Sequence, residues 1–152
     1  MNNESSISTK IHVDPLDWAA ITEAKPNVLI CGEPMFIDSF LGLLAGHCAS
    51  PLRRISQSGA LAVLSGIEDG TVVLDNAEQY KESEQRAVLD WLAKTGAAIQ
   101  LITTTGKPLF DLVEQGQFLD SLFYRINTIY LELSCPAEPT LPSWVPSDHR
   151  IN

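Results

Sequence analysis

The sequence has 152 residues, 45% of them hydrophobic, with a formal net charge of −9 and a pI near 4.6. That length suits one domain with a buried core, no apolar run reaches the ~20 residues a membrane span needs, and so acidic a surface repels nucleic acid. The 3 cysteines, Cys31, Cys48 and Cys135, stand far apart without metal-ligand spacing. Together with an N-terminus that lacks a basic-then-apolar leader, they imply a cytoplasmic protein with reduced thiols.

Residues 1–12 are polar and are expected to be disordered. Asp14-Pro15 reads as an N-cap followed by proline at the first helical position, opening a helix through Ile21 that stops before Pro26. Val28 to Cys31 is a continuous apolar run, the mark of a buried strand of parallel type. Gly32 follows, then a helix over 38–48, a short strand over 53–57, and a helix within 58–70 closed by a turn. Residues 71–75 form the second clear strand. Residues 81–95 make the best amphipathic helix, with Ala87, Val88, Trp91, Leu92 and Thr95 at helical spacing among charges. A strand over 97–105, short helices over about 107–115 and 117–125, and a strand over 127–133 complete the core, assigned to residues 13–134. Strands alternating with helices predict an α/β domain with a parallel sheet. Residues 135–152 carry Pro136, Pro139, Pro142 and Pro146 and read as an extended tail; Leu141, Trp144 and Val145 are its docking side chains, onto this domain or a partner.

Strand, glycine turn and helix at 28–48 is the layout of a phosphate-binding P-loop. Such a loop works because glycines let backbone N–H groups wrap the phosphates while a lysine bridges them. Here Met35 and Ile37 stand where glycines belong, and Asp38 stands where the lysine belongs. A carboxylate there repels phosphate, and bulky side chains bar the backbone's approach. Asp38, Asp75, Asn76 and Glu78 gather near the predicted strand ends, where α/β sheets bind ligands. That gathering reads as a solvated acidic rim, or more sharply as a seat for a cation or basic peptide. His12, His47 and His149 are too scattered to suggest a site.

The stretch from 70 to 133 resembles the AAA+ core of bacterial sigma-54-dependent transcription activators. "GTVVLDNAEQYKESEQRAVLDWL" resembles that family's Walker B segment and following helix, with Gln85 on the family's usual glutamine. "LITTTGKPLFDLVEQGQFLDSLFYRINTIYLEL" resembles the family's third core strand and the segment after it, through Phe118, Leu122, Tyr124, Arg125 and Asn127. "NVLICGEPMFIDSF" is similar to the family's P-loop without gaps. The resemblance implies a P-loop NTPase-like, three-layer sandwich around a mostly parallel five-stranded sheet.

The departures from that pattern are as informative as the matches. Asp75 is kept, but Asn76 replaces the glutamate that would polarise water, and an amide is no general base. Gly106 replaces the asparagine expected after the third core strand, and Leu119 replaces the first of two arginines. The remaining one, Arg125, is placed by the resemblance in trans on a neighbour's nucleotide; its plainer role is a salt bridge or helix-terminal charge. The stretch from Asp38 to Asp75 is too short to hold the family's sigma-54-gripping loop. A helical lid is expected to be absent, with the proline-rich tail in its place, and no receiver domain or helix-turn-helix is seen.

The vestigial nucleotide pocket therefore comprises Gly32, Glu33, Asp38, Ser39, Asp75, Asn76 and Gly106, and the candidate subunit interface Phe118, Leu122, Tyr124 and Arg125. The expected function is a non-catalytic, cytoplasmic protein-interaction or regulatory module linked to transcription, with no ATP hydrolysis, no direct sigma-54 remodelling and no cofactor. Its partner is a protein, either an intact AAA+ activator or a second copy of the chain; neither nucleic acid nor membrane is expected. The alternative is a domain that senses ATP or ADP, with Mg²⁺, without hydrolysing it.

Overall fold

The computed structural model describes residues 13–133. The expectations for residues 1–12, for residue 134 and for the tail over 135–152 lie outside these residues. Five strands form one sheet: β1 (Val28–Gly32), β2 (Leu52–Ile55), β3 (Gly70–Leu74), β4 (Ile99–Thr105) and β5 (Ile129–Leu133). Their spatial order is β2-β3-β4-β1-β5, and every pairing is parallel. The sheet is thus wholly parallel rather than mostly so.

The helices are α1 (Pro15–Ala19), α2 (Pro34–Leu44), α3 (Glu82–Thr95), α4 (Leu109–Glu114) and α5 (Asp120–Ile126). Side chains alternate across a strand, so each buried strand feeds two cores. Val28 and Ile30 of β1 join Phe36, Ile37, Phe40 and Leu44 of α2 on one face. Leu29 points the other way, into a larger cluster with Val88, Trp91 and Leu92 of α3 and with Leu122 and Ile126 of α5. The result is three layers, helix on sheet on helix.

Several boundaries differ from the sequence expectation for physical reasons. α2 begins at Pro34, four residues before the expected start. Proline at the first helical position is pre-set for the helix, and Phe36, Ile37, Phe40 and Leu44 all bury along one stripe. α1 is short and gives way to a wider π-turn over Ala20–Ala24, which Lys25 closes in the left-handed region. The segment expected as a helix within 58–70 is a 3-10 helix over Ser58–Gly66. Its buried residues Leu61 and Leu64, with Ile67 just beyond, recur every third position, which is the 3-10 period. On α3 the inward face carries Gln85, Val88, Trp91 and Leu92, whereas Ala87 is exposed.

Gln85 is the polar keystone of the larger cluster. Its Nε2 donates to the carbonyls of Tyr80 and Gln117, both at 3.0 Å, and its Oε1 accepts from the Leu119 amide at 2.8 Å. One buried amide thereby fixes the chain between α4 and α5 against the start of α3. Trp91 Nε1 donates to the Ile67 carbonyl at 3.1 Å, tying α3 to the end of the 3-10 segment.

Candidate functional site

The carboxyl ends of β1, β3 and β4 open onto a cleft of about 270 Å³. Of the residues assigned to a vestigial pocket, Gly32, Asp38, Asp75, Asn76 and Gly106 line it, while Glu33 and Ser39 do not. Glu33 is the residue before α2 and faces solvent; Ser39 is half-buried on the helix. Arg54, Ser56, Glu78 and Thr104, with the apolar Pro34 and Ile37, complete the wall.

Arg54 organises the cleft. Its Nε donates to Asp75 Oδ2 at 2.6 Å, and its Nη2 donates to Asp38 Oδ1 at 2.7 Å. Asp75 is 5% exposed, and it accepts three further bonds, from Arg54 Nη2 at 3.4 Å, Ser56 Oγ at 2.9 Å and Thr104 Oγ1 at 2.7 Å. The buried carboxylate is fully partnered, as a buried charge has to be. The hydrogen bond from Arg54 to Asp75 pushes the guanidinium's already high pKa further up, against the opposing effect of burial. A single cation thus joins β2, β3 and α2 at the mouth of the cleft.

The turn after β1 takes a form set by packing. Gly32 is still in the strand, paired with Leu133 of β5. A Cβ added to it would lie 2.6 Å from the Leu133 carbonyl oxygen, so glycine is required by the neighbouring strand. Only Glu33 separates the strand from Pro34 and α2. Phe36 and Ile37 are buried beneath the helix. Asn76 takes the left-handed conformation, φ 60° and ψ 47°, which asparagine tolerates, and its amide donates to Thr104 Oγ1 at 3.3 Å. Gly106 leaves room for Glu78, whose Oε2 would sit 3.1 Å from a Cβ there. Glu78 Oε1 is buried with no hydrogen-bond partner among the described residues. The acidic residues named from sequence do converge, but as a rim bridged by Arg54 rather than as a bare acidic cluster.

The second group of sequence-named residues divides in two. Phe118 and Leu122 are core side chains in the larger cluster, not surface contacts. Leu122 lies on the inward face of α5, and Phe118 lies in the connection before it, where its amide donates to the Leu112 carbonyl at 3.2 Å. Tyr124, 66% exposed, and Arg125 face solvent. The exposed Phe110 of α4 continues this surface across the buried Phe123, whose ring meets Phe110 at a tilt and Tyr124 edge-on, at centroid distances of 5.8 and 5.3 Å. Arg125 lies in the last turn of α5, where a cation complements the helix dipole.

Arg54 was not singled out as a site residue. The only signal was that Arg53-Arg54 is the one adjacent basic pair in an acidic chain. Its partners lie 16 and 21 residues away on other elements.

A parallel sheet in the order β2-β3-β4-β1-β5, with helices on both faces and an aspartate directly after β3, defines the chain as a P-loop NTPase-fold domain. Solved structures bear this out. NtrX from Brucella abortus in complex with ATP superposes with a TM-score of 0.57 at 12% identity, covering 86% of this chain and 38% of that one. The P-loop NTPase domain of a sigma-54 transport activator from E. coli superposes at 0.54 with 14% identity, covering 74% of this chain and 93% of that one. The chain belongs to the sigma-54 interaction domain family, whose profile matches residues 4–135. It is 28% identical over 101 residues to the HTH-type transcriptional regulatory protein TyrR of Enterobacter agglomerans, an alignment covering 59% of this chain and 19% of that protein. The match therefore spans about a fifth of the length of that transcriptional regulator. Among the described residues no helix is long and apolar enough to cross a membrane.

Proposed function

We propose that this chain is a non-catalytic member of the sigma-54 interaction domain family, acting in transcription regulation by binding protein rather than by hydrolysing ATP. The observation that carries this reading is the Arg54 guanidinium bonded to both Asp38 and Asp75. Where a metal nucleotide would need free carboxylate oxygens and a lysine, both oxygens of Asp75 and Oδ1 of Asp38 are already engaged by Arg54 and the neighbouring hydroxyls. The residues present do not fit a magnesium nucleotide. α2 starts two residues after Gly32, so no run of free backbone amides is left to wrap phosphates. The cleft, about 270 Å³, is smaller than the ~300–1,000 Å³ usual for ligand sites. With Asn76 in place of a carboxylate, the turn after β3 lacks a general base.

The surface offered to a partner is the aromatic strip of Phe110 and Tyr124 with Arg125 beside it. Aromatic residues and arginine are the types enriched at protein interfaces. The partner is an intact AAA+ activator of the same family, or a second copy of the chain; direct sigma-54 remodelling is not expected.

Calorimetry with ATP and ADP, with and without Mg²⁺, up to millimolar ligand is expected to give no saturable heat. Saturable binding would instead establish the nucleotide-sensing alternative. Affinity purification from the source cell is expected to recover an AAA+ activator or untagged copies of this chain, and to lose them in Tyr124→Ala/Phe110→Ala. Recovery of neither counts against the interaction reading.

A further inference from the structure

Where α1 meets α2, away from the cleft, Trp18 stands edge-on to both Phe40 and His47, at ring centroid distances of 6.0 and 5.3 Å. With Val13, Pro15 and Leu43 these rings line an apolar groove of about 340 Å³. Leu43 is 60% exposed there, although its helical neighbours Phe40 and Leu44 are buried. The groove is held in shape from behind: Lys25 Nζ donates to the carbonyls of Thr22 and His47 at 2.9 and 2.8 Å. Grooves walled by aromatic rings and free of charged side chains receive proline-rich segments, whose polyproline II form is stiff before it binds and loses little entropy on docking.

We propose that this groove holds the chain's own segment 139–146, Pro-Thr-Leu-Pro-Ser-Trp-Val-Pro. The chemistry matches. The segment has proline at positions 139, 142 and 146, apolar Leu141, Trp144 and Val145, and no charge, in a chain whose net charge is −9. No ionic group has to be stripped of water on either side.

The geometry matches as well. β5 ends at Leu133, and Leu133 lies in the same buried cluster as Phe40, with Trp18 packed against it. β5 runs parallel to β1, so Leu133 lies beside Gly32 near the amino end of α2, whereas the groove lies further along that helix, at Phe40, Leu43 and His47. Six residues, from Leu133 to Pro139, reach about 20 Å when extended. Crossing a helix layer of about 10 Å and running about 14 Å along α2 to Leu43, at about 1.5 Å per residue, is a path of about 17 Å, within that reach. Docking in cis covers Trp18 and Leu43 and returns the tail to the face opposite the Phe110–Tyr124 strip, leaving that strip free for a partner.

NMR of the full chain tests this. Nuclear Overhauser contacts are expected from the Trp144 ring or the Pro139 and Pro142 rings to the Leu43 methyls, the Trp18 ring or the His47 ring, unchanged on dilution. Leu43→Glu, at an exposed position, is expected to keep the remaining spectrum while erasing those contacts and speeding chymotryptic cleavage after Trp144 at least about tenfold, because cleavage follows the undocked population. Three outcomes overturn the proposal. One is the absence of such contacts in the wild-type chain. Another is their appearance only between differently labelled molecules in a mixed sample, which assigns the groove to a second copy's tail. The last is cleavage of Leu43→Glu at the wild-type rate.

Discussion

Replacing Arg54 by alanine separates the two halves of the bridge at the strand ends. Two unit charges about 4 Å apart attract by roughly 4 kcal/mol at an effective dielectric near 20. The Arg54 side chain keeps 41% of its surface in water. After its removal Ser56 and Thr104 still donate to Asp75. Screening and those two hydroxyls reduce the net loss on the Asp75 side to about 2 kcal/mol, short of the ~3–5 kcal/mol typical when a wholly buried pair is broken. On the other side Asp38 is 60% exposed, and an exposed pair contributes at most about 1 kcal/mol. Double-mutant cycles by urea unfolding, pairing Arg54→Ala with Asp75→Asn and with Asp38→Asn, should therefore give unequal couplings. About 2 kcal/mol is expected for the first pair and under about 1 kcal/mol for the second. Raising the salt from about 0.1 to 1 M should erode only the second, since the Debye length falls from about 10 to 3 Å. Equal couplings, or a first coupling below about 0.5 kcal/mol, would refute the reasoning that Asp75 depends on Arg54 for its charge compensation.

Three further variants probe other parts of the structure. Asp38→Lys restores the expected cation, but α2 still starts at Pro34, so calorimetry should detect no gain of ATP affinity at millimolar ligand; saturable binding would mean that the lysine alone suffices. Gln85→Leu strands the Tyr80 and Gln117 carbonyls and the Leu119 amide; unfolding should show a loss of about 3 kcal/mol, from ~1–3 kcal/mol per orphaned buried group after partial relaxation, and a loss below ~1 kcal/mol would contradict the keystone role. The Tyr80 hydroxyl is buried without a partner among the described residues, and burial, with Asp75 next in effect, pushes its pKa up. The folded state then holds a proton that the unfolded state releases above about pH 10, so stability is intact below that pH and declines above it, by up to ~1.4 kcal/mol per pH unit. The Tyr130 pKa is raised in the same sense by burial, so Tyr80→Phe should lessen rather than abolish the alkaline decline and cost nothing at neutral pH; an unchanged alkaline slope would exclude Tyr80 as a source.

The strands were legible because a doubly covered parallel sheet demands apolar runs, and Val28–Cys31 and Thr71–Leu74 are such runs. The start of α2 was legible too, in Pro34 followed by Phe36, Ile37, Phe40 and Leu44. It was obscured because the resemblance to a P-loop reserved residues 33–38 for a loop. The 3-10 segment was harder, since apolar residues at every third position also satisfy much of an α-helical pattern. At the cleft, the types of Asp38, Asp75 and Asn76 and their places near the strand ends could be read one at a time. That Arg54 would reach two of those acids could not, because the twist of the sheet and the placement of α2 decide which side chains meet. Phe118 and Leu122 were read as surface for a related reason. A motif shows which residues travel together, and only packing shows which of them face inward.

The position of β1 has a consequence for how the chain acquires its shape. β1 lies between β4 and β5, with Val28 opposite Ile102 on one side and Ile129 on the other. During synthesis its apolar residues emerge early and have no neighbour until the ribosome has made most of the domain. β3 and β4, joined through α3, can pair much sooner. The strand made first is therefore threaded in late, between a preformed partner and one still to come, and such distant closure is slow. In that interval the nascent protein exposes its stickiest stretch, which makes early chaperone capture or aggregation at residues 28–32 the main hazard of its biogenesis.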